Sequence, residues 1–365
     1  MTTPMSEPPA LSEPQTLSEP PTSVGGAWNK ILGHDRLVQI FDRLVARGRL
    51  AHAYLFCGPA GVGKRLFARE LGKALLCENA GEKLQACGHC PACLQVEAGS
   101  HPDFVVAGRP EESNDVPIDT IRELCQGFGL KSARGRGRIA ILDDADDLSD
   151  ISANCFLKTL EEPPPRSLLL LIGTSADRQL PTIRSRCQIV TFAPLGDEQM
   201  RAILQKNGIT EPAALDRLVR FSQGSPGRAL ALADDALWEF RKQFLGSLGR
   251  GTFDAVGQMR AWMHFINEAG KESAPQRRRA AMLLDLVIEF FRQVLILGSD
   301  DSDPDETALA RRLATALSTE TTLAILERLL LASQQIDRKV QIVLVVEAML
   351  DALAHLLRGL GGINK

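Results

Sequence analysis

The sequence predicts a parallel α/β domain with a phosphate-binding loop, followed by a region built only of helices. Up to about Pro194, short apolar runs typical of buried strands alternate with segments of helical periodicity. This alternation is the pattern of a parallel sheet with helices on both faces. After Pro194 the strand pattern stops and the periodic segments are helical. Because such sheets bind ligands at the carboxyl ends of their strands, we look for functional residues there.

Each predicted element rests on a local pattern. Five apolar runs predict the strands: Ala53–Cys57, Asp103–Ala107, Ile139–Leu142, Leu168–Ile172 and Gln188–Phe192. Helical spacing predicts Asp35–Arg47 before the first strand and Ile151–Glu162, which three prolines end. The pattern Thr120-x-x-Glu123 predicts a helix start at a capping box. Further helices are predicted after Pro194, over Glu198–Lys206, Ala213–Phe221, Arg228–Ala233, Arg277–Ile296, Thr321–Gln335 and Val343–Leu357.

The most specific local pattern lies between the first strand and a helical segment, over Gly58–Arg65. It matches the phosphate loop G-x-x-x-x-G-K-[ST] except at the last position. Three glycines would let backbone N–H groups surround a phosphate: Gly58, Gly61 and Gly63. Lys64 would reach the outer phosphates. Arg65 stands where a hydroxyl would bind Mg²⁺, and a guanidinium cannot replace that ligand. The pattern predicts the phosphate-loop fold, whereas binding and hydrolysis of ATP with Mg²⁺ are left open.

Two carboxylates follow the third predicted strand directly. In phosphate-loop proteins the acidic residue at such a strand end holds Mg²⁺, and Asp143 is the candidate for that role. Asp144 stands where an ATPase usually carries a glutamate that orients the attacking water. Its side chain is one methylene shorter, so it would reach less far. If the phosphate loop were absent, the same residues would be interpreted as a charged turn.

Four cysteines follow the phosphate-loop helix with metal-ligand spacing: Cys77, Cys87, Cys90 and Cys93. Four thiolates can enclose Zn²⁺ tetrahedrally, so we predict a structural zinc site. An iron–sulfur cluster also uses C-x2-C-x2-C, but its fourth cysteine normally follows closely downstream, and the next one here is Cys125. His89 and His101 are alternative ligands. The other cysteines lie in apolar segments and are interpreted as packing residues.

Composition limits the class of protein. The net charge of -3 over 365 residues argues against a broadly basic, nucleic-acid-coating surface. No apolar run is long enough to span a membrane, and no signal-peptide pattern is present, so we expect a cytoplasmic protein. We predict four segments: a disordered Ser/Glu/Pro-rich tail over 1–26, a phosphate-loop domain over 27–194 with the cysteine module at 77–93, a small helical unit over 195–235 and an all-helical domain over 236–365.

Taken together, these residues resemble the bacterial clamp-loader branch of the AAA+ superfamily, and within it the delta-prime subunits of DNA polymerase III. The resemblance covers most of residues 31–194. Besides the phosphate loop and the cysteines it rests on three stretches: His101–Asp103, Leu157–Pro164 and Ser185-Arg186-Cys187. In such sequences the Ser-Arg-Cys arginine acts in trans on the nucleotide of a neighbouring subunit, which implies that role for Arg186. Thr174 matches the family's first sensor position. Gly224–Leu230 resembles a lid segment with a sensing arginine, although Arg228 comes one position later than in the motor subunits.

The resemblance also implies partners. The protein would assemble with gamma/tau and delta subunits through a helical collar domain, and would meet the sliding clamp and primed DNA through that complex. Arg65 and Asp144 are departures from the ATP-hydrolysing gamma/tau subunits, and both affect catalysis. Two alternatives stay open: a competent ATPase motor of the gamma/tau kind, which the retained Lys64 favours, and a zinc-bearing scaffold, against which Ser185-Arg186-Cys187 argues.

Overall fold

The computed structural model describes residues 28, 31–81, 83–110, 113, 115–249, 253–296 and 304–358, so the predicted tail over 1–26 lies outside it. Its five strands form one parallel sheet in the order β2-β3-β4-β1-β5. The strands are β1 Ala53–Cys57, β2 Phe104–Ala107, β3 Arg138–Leu142, β4 Ser167–Ile172 and β5 Gln188–Thr191. All five predicted strands are therefore confirmed, each to within one residue at either end.

The strand order brings three loops together. β4 lies between β1 and β3, and Leu171 pairs with both Leu55 and Leu142. The carboxyl ends of these three strands are therefore level. The loops that follow them carry the phosphate loop, Asp143 and Thr174, so the topology alone makes these residues neighbours.

Alternating residues of the strands supply two cores, one on each face of the sheet. On one face Phe56 packs against Phe41 and Phe67, with ring centroids 5.9 and 5.8 Å away. On the other face Leu55 belongs to a second cluster of buried side chains that includes Phe128 and Phe156. The helices covering these faces are α1 Asp35–Ala46, α2 Lys64–Leu76, α3 Pro91–Glu97, α4 Ile118–Gly129, α5 Asp150–Glu161 and α6 Pro181–Arg184. All four cysteines outside the C-x2-C module lie in or against these cores, as predicted.

The predicted capping box is wrong. Helix α4 begins at Ile118, and its N-cap is Pro117, whose backbone is already extended (φ -61°, ψ 144°). Thr120 therefore lies inside the first turn, where its backbone is helical and it cannot act as the cap.

Beyond the sheet, every regular element is a helix within the described residues. These helices are α7 Asp197–Lys206, α8 Pro212–Ser222, α9 Pro226–Ala231, α10 Asp235–Leu248, α11 Ala255–Asn267, α12 Ser273–Leu295, α13 Pro304–Ala316, α14 Thr319–Asp337 and α15 Ile342–Leu357. Helix α12 is buried along most of its length and packs against α10, α11, α13 and α14. The predicted last helix is present, and seven of its residues are buried, whereas Val343 and Leu344 are about half exposed. None of the helices described is both long and apolar enough to cross a bilayer.

Candidate functional site

The phosphate loop turns tightly between β1 and α2. Gly58, Gly61 and Gly63 have φ angles of 150°, 77° and 109°, which L-residues rarely adopt. The space around the loop is also restricted, because a Cβ atom at Gly58 would lie 2.4 Å from the carbonyl oxygen of Phe192. Helix α2 begins at Lys64 and points its N-terminus at the loop. The loop therefore has the backbone shape of an anion-binding site.

Lys64 is folded back onto its own loop. Its Nζ donates hydrogen bonds to the carbonyl oxygens of Gly58 and Pro59, at 2.6 and 2.7 Å. The residue is only 6% exposed, and burial lowers its pKa although the carboxylates of Asp146 and Asp143 oppose that shift. The ammonium is thus held beside the place where a phosphate would lie.

Arg65 lies against the first predicted carboxylate. Its Nη1 is 3.3 Å from Oδ2 of Asp143, whose side chain is mostly buried. Burial and the charge of Asp144 raise the pKa of Asp143, and Arg65 counters part of that rise. Because the hydroxyl ligand is missing and the carboxylate already faces a guanidinium, these residues do not fit Mg²⁺.

Asp144 is held by a neighbouring arginine. Its backbone is left-handed (φ 53°), and its Oδ2 lies 3.8 Å from Nε of Arg109, which also approaches Asp147 at 3.0 Å. Asp144 stands where an ATPase usually carries its catalytic glutamate, and here its carboxylate faces the guanidinium of Arg109.

Thr174 is bound to a residue that the sequence did not single out. Its backbone N–H and its hydroxyl both donate to Oδ2 of Asp146, at 2.7 and 2.6 Å, and Gln179 Nε2 donates to Oδ1 at 2.6 Å. Asp146 is one of several acidic residues in the turn after β3, and no spacing distinguishes it from the others. The Thr174 hydroxyl, which would sense a phosphate, therefore already donates its hydrogen bond to Asp146.

These residues surround a cavity of about 580 Å³. Its wall includes Lys64, Arg65, Asp143, Asp144 and Thr174, which were predicted, and Arg109, Asp146, Arg178 and Asp337, which were not. Asp337 comes from the end of α14, far away in sequence, so no local pattern could place it here. The structure thus brings the predicted phosphate-site residues into one cavity.

The α8–α9 segment docks directly on the phosphate loop. Ser225 Oγ donates to the carbonyl of Ala60 at 2.6 Å, and the Gly227 N–H donates to the carbonyl of Gly61 at 2.9 Å. The next residue, Arg228, does not line the cavity but pairs with Asp285 of α12 at 3.1 Å. Arg228 therefore links this segment to the C-terminal helices, which does not match a sensor of the chain's own nucleotide.

The four cysteines of the predicted module converge. The sulfur atoms of Cys77, Cys87, Cys90 and Cys93 lie within 4.8 Å of one another, and the Cys77–Cys90 and Cys87–Cys93 pairs are 4.0 Å apart. A tetrahedral Zn–S₄ centre needs sulfur separations of about 3.8 Å. Burial would raise the pKa of Cys90, but the backbone N–H groups of Cys93 and Glu78 outweigh it and lower that pKa to about 6. The donor set and its spacing therefore fit a metal ion.

The segment His101–Asp103 has a structural role, because Asp103 accepts several hydrogen bonds. Asp103 is fully buried and accepts hydrogen bonds from Ser132 Oγ, the backbone of Ala133 and Arg134, and Arg138 Nε. These donors outweigh burial and lower the pKa of Asp103. Asp103 therefore anchors residues 132–138 to the domain, while the side chains of Arg134 and Arg136 stay exposed.

Arg186 lies apart from the cavity. It follows α6 and is a third exposed, with Nη2 2.6 Å from Glu161 Oε1 and Nη1 2.9 Å from the Thr182 carbonyl. It does not line the cavity around the phosphate loop. The side chain can therefore act only on something outside that cavity.

Comparisons with known proteins identify the family of the chain. A family model described as "DNA polymerase III, delta subunit" matches residues 33–196. DNA polymerase III subunit delta' of Escherichia coli is 32% identical over 251 residues, covering 67% of this chain and 73% of the relative. The delta' subunit of Pseudomonas aeruginosa is 39% identical over 56% of this chain and 62% of its own length.

A tau subunit and a solved structure match as well. The tau subunit of Escherichia coli is 35% identical over 57% of this chain, which is 32% of tau. A gamma subunit-related protein from Thermotoga maritima is a structural match at 15% identity and a TM-score of 0.43, covering 88% of this chain and 99% of that one. On the evidence of the delta' relatives, the chain belongs to the family of DNA polymerase III delta-prime subunits.

Proposed function

We propose that this chain is a clamp-loader subunit of DNA polymerase III that completes the ATP site of a neighbouring subunit with Arg186. The observation that carries the proposal is the contrast between two arginines of this chain, Arg65 and Arg186. Arg65 stands where the chain's own Mg²⁺ ligand would be, whereas Arg186 is a third exposed and lies outside the chain's own cavity. An arginine finger stabilises charge on the transferred phosphoryl group and is worth on the order of 10³–10⁵ in rate.

The partners follow from this family. We propose assembly with gamma/tau and delta subunits through the helices of residues 236–365, and action on the sliding clamp and primed DNA through the complex. The half-exposed Val343 and Leu344 at the start of α15 are apolar surface that such an assembly would cover.

The proposal is tested with Arg186→Ala in the reconstituted clamp loader, measuring single-turnover phosphate release. We expect the neighbouring site to slow by a factor on the order of 10³ while the complex still assembles. Arg184→Ala is the matched control, since Arg184 is also an exposed arginine in an ion pair, with Asp177 at 2.7 Å, only two residues away. An unchanged rate in the Arg186 variant would contradict the assignment.

A gamma/tau-like motor is the second candidate, favoured by the loop geometry and the buried Lys64. Against it stand the Arg65–Asp143 pair and the Asp144–Arg109 contact, which both fall on catalytic positions. ATP turnover by the isolated chain, abolished by Lys64→Ala, would identify the chain as a motor. We expect no such turnover.

We further propose that the four-cysteine module holds structural zinc. Metal analysis of the purified chain should find one zinc per molecule. Cys90→Ser should lose it and unfold the module, because metal binding at such a site contributes folding free energy. Cys125→Ser, outside the module, should keep the metal. Stoichiometric zinc in the Cys90 variant would refute this ligand set.

A further inference from the structure

The guanidinium of Arg186 is held by three acceptors of its own chain. Its Nη1 donates hydrogen bonds to the Thr182 carbonyl at 2.9 Å and to Ser185 Oγ at 3.2 Å, and its Nη2 donates to Glu161 Oε1 at 2.6 Å. Within the part of the chain that the structure describes, the side chain makes no other hydrogen bond. Arginine carries five N–H groups, so at least two stay available to an anion from outside. The guanidinium is thus oriented by its own chain but still able to bind a phosphate.

Two of the three acceptors come from α6 and its C-cap. The Ser185 hydroxyl donates to the Thr182 carbonyl at 3.1 Å while it accepts from Arg186, and the Arg186 N–H donates to the Ile183 carbonyl at 3.0 Å. Ile183 and Cys187 are buried in the core on this face of the sheet. The local structure therefore fixes the backbone of Arg186 and its Nη1.

The third acceptor comes from a different helix. Glu161 is the last residue of α5, and Leu160 beside it is buried in the same core as Ile183, so one core holds the ends of both helices. Of the three acceptors, Glu161 alone is charged and its bond to Arg186 is the shortest. The ion pair is 34% exposed on the arginine and 50% on the glutamate, so it contributes little to folding stability. What it fixes is the direction of Nη2.

We propose that Glu161 is a positioning residue for Arg186, which holds Nη2 so that the remaining N–H groups reach the phosphate of the neighbouring subunit. This inference rests on the proposed function of Arg186 and adds a second residue to it. An arginine finger acts on charge that develops in the transition state, so loosening it lowers the rate of hydrolysis and leaves the affinity for ATP unchanged. A carboxylate that instead kept Arg186 away from the phosphate would have the opposite effect, because its removal would speed hydrolysis.

The test uses the full chain in the reconstituted clamp loader and measures single-turnover ATP hydrolysis over a range of ATP concentrations. Glu161→Ala should lower the maximal rate about tenfold, with the ATP concentration at half-maximal rate unchanged. Glu161→Gln keeps an oxygen that can accept from Nη2 and should recover most of the rate. Glu162→Ala is the matched control, since Glu162 is the next residue, is exposed and has no side-chain partner among the described residues. It should hydrolyse ATP at the wild-type rate.

A double variant separates this inference from the function on which it rests. With Arg186→Ala already present, Glu161→Ala should cause no further loss of rate, because the two residues act as a unit. If Arg186→Ala alone leaves the rate unchanged, the proposed function fails and the role of Glu161 fails with it. If Arg186→Ala slows hydrolysis but Glu161→Ala does not, or accelerates it, only the positioning role is wrong. A further loss in the double variant would likewise overturn it, since Glu161 would then act independently of Arg186.

Discussion

The contact between the phosphate loop and α9 can be tested by adding one methyl group. Gly227 is the second residue of α9, and a Cβ atom there would lie 2.7 Å from the Cα of Gly61. Helix propensity alone predicts that Gly227→Ala stabilises the protein by about 1 kcal/mol. The packing at this position predicts the opposite sign, so the two effects can be distinguished.

The magnitude follows from the distances. Ordinary carbon contacts begin near 3.5 Å, so α9 would have to retreat by about 0.8 Å. Such a shift breaks the hydrogen bonds of Ser225 and Gly227 to the loop, which cost about 1 kcal/mol each. If α9 does not move, overpacking costs a similar amount, in the range of about 1–3 kcal/mol. After the propensity gain, we expect a net loss of about 1 kcal/mol.

The measurement is urea-induced unfolding followed by circular dichroism. Gly246→Ala is the matched control, because Gly246 lies in α10 and nothing is within 4 Å of a Cβ there. It should gain about 1 kcal/mol, so the two variants should differ by about 2 kcal/mol. If Gly227→Ala is as stabilising as Gly246→Ala, then α9 does not rest on the loop as described.

Two further predictions concern buried charges. Asp103→Asn should lower the free energy of unfolding by about 3 kcal/mol at neutral pH, since it leaves Arg138 buried beside a neutral group. The pKa of Asp103 is lowered in the folded protein, so its contribution to the free energy of unfolding is present above about pH 4 and is lost as the pH falls through the folded pKa. The stability of the Asp103→Asn variant should therefore fall less steeply with decreasing pH than that of the wild-type protein. An equal slope would contradict this expectation. Arg277 donates hydrogen bonds to the carbonyls of Ile336, Lys339 and Val340 at the end of α14. Arg277→Ala should therefore lower the free energy of unfolding by about 2 kcal/mol, measured by thermal unfolding. Arg260 is exposed, and Arg260→Ala should change that free energy by no more than about 0.5 kcal/mol. Equal losses in the two arginine variants would remove the capping role.

Much of the fold could be predicted because its signals are local. The five strands are apolar runs bounded by turns, and their boundaries were correct to within a residue. The cysteine cluster was predicted from spacing alone, since three of its four cysteines lie within one short loop and helix. The helix starts show the limit of such signals: the capping box predicted at Thr120 is wrong, and α12 begins at Ser273, four residues before the predicted Arg277. A capping box at Thr120 and an earlier N-cap at Pro117 are both compatible with the local sequence, and the helix begins after Pro117.

The partners of the site residues could not be predicted, because they depend on tertiary position. The sequence identified Thr174 but not Asp146, which holds it from a different strand end. It identified Arg65 as a departure but not its contact with Asp143, 78 residues away by number. The approach of Asp337 to the cavity depends on how the C-terminal helices pack. Long-range contacts of this kind leave no periodic trace in the chain.

The glycines of the loop show why motif and function must be argued separately. Gly58 is required by the carbonyl of Phe192 and Gly61 by the contact with α9, so packing alone explains both without any nucleotide. Gly63 has only a distant neighbour, His34, at 3.8 Å from a Cβ, and its positive φ is the single local reason for glycine. The glycine pattern therefore supports the fold more than it supports ligand binding. The residue that most favours an anion here is Lys64, a buried cation whose hydrogen-bond partners among the described residues are the carbonyls of Gly58 and Pro59.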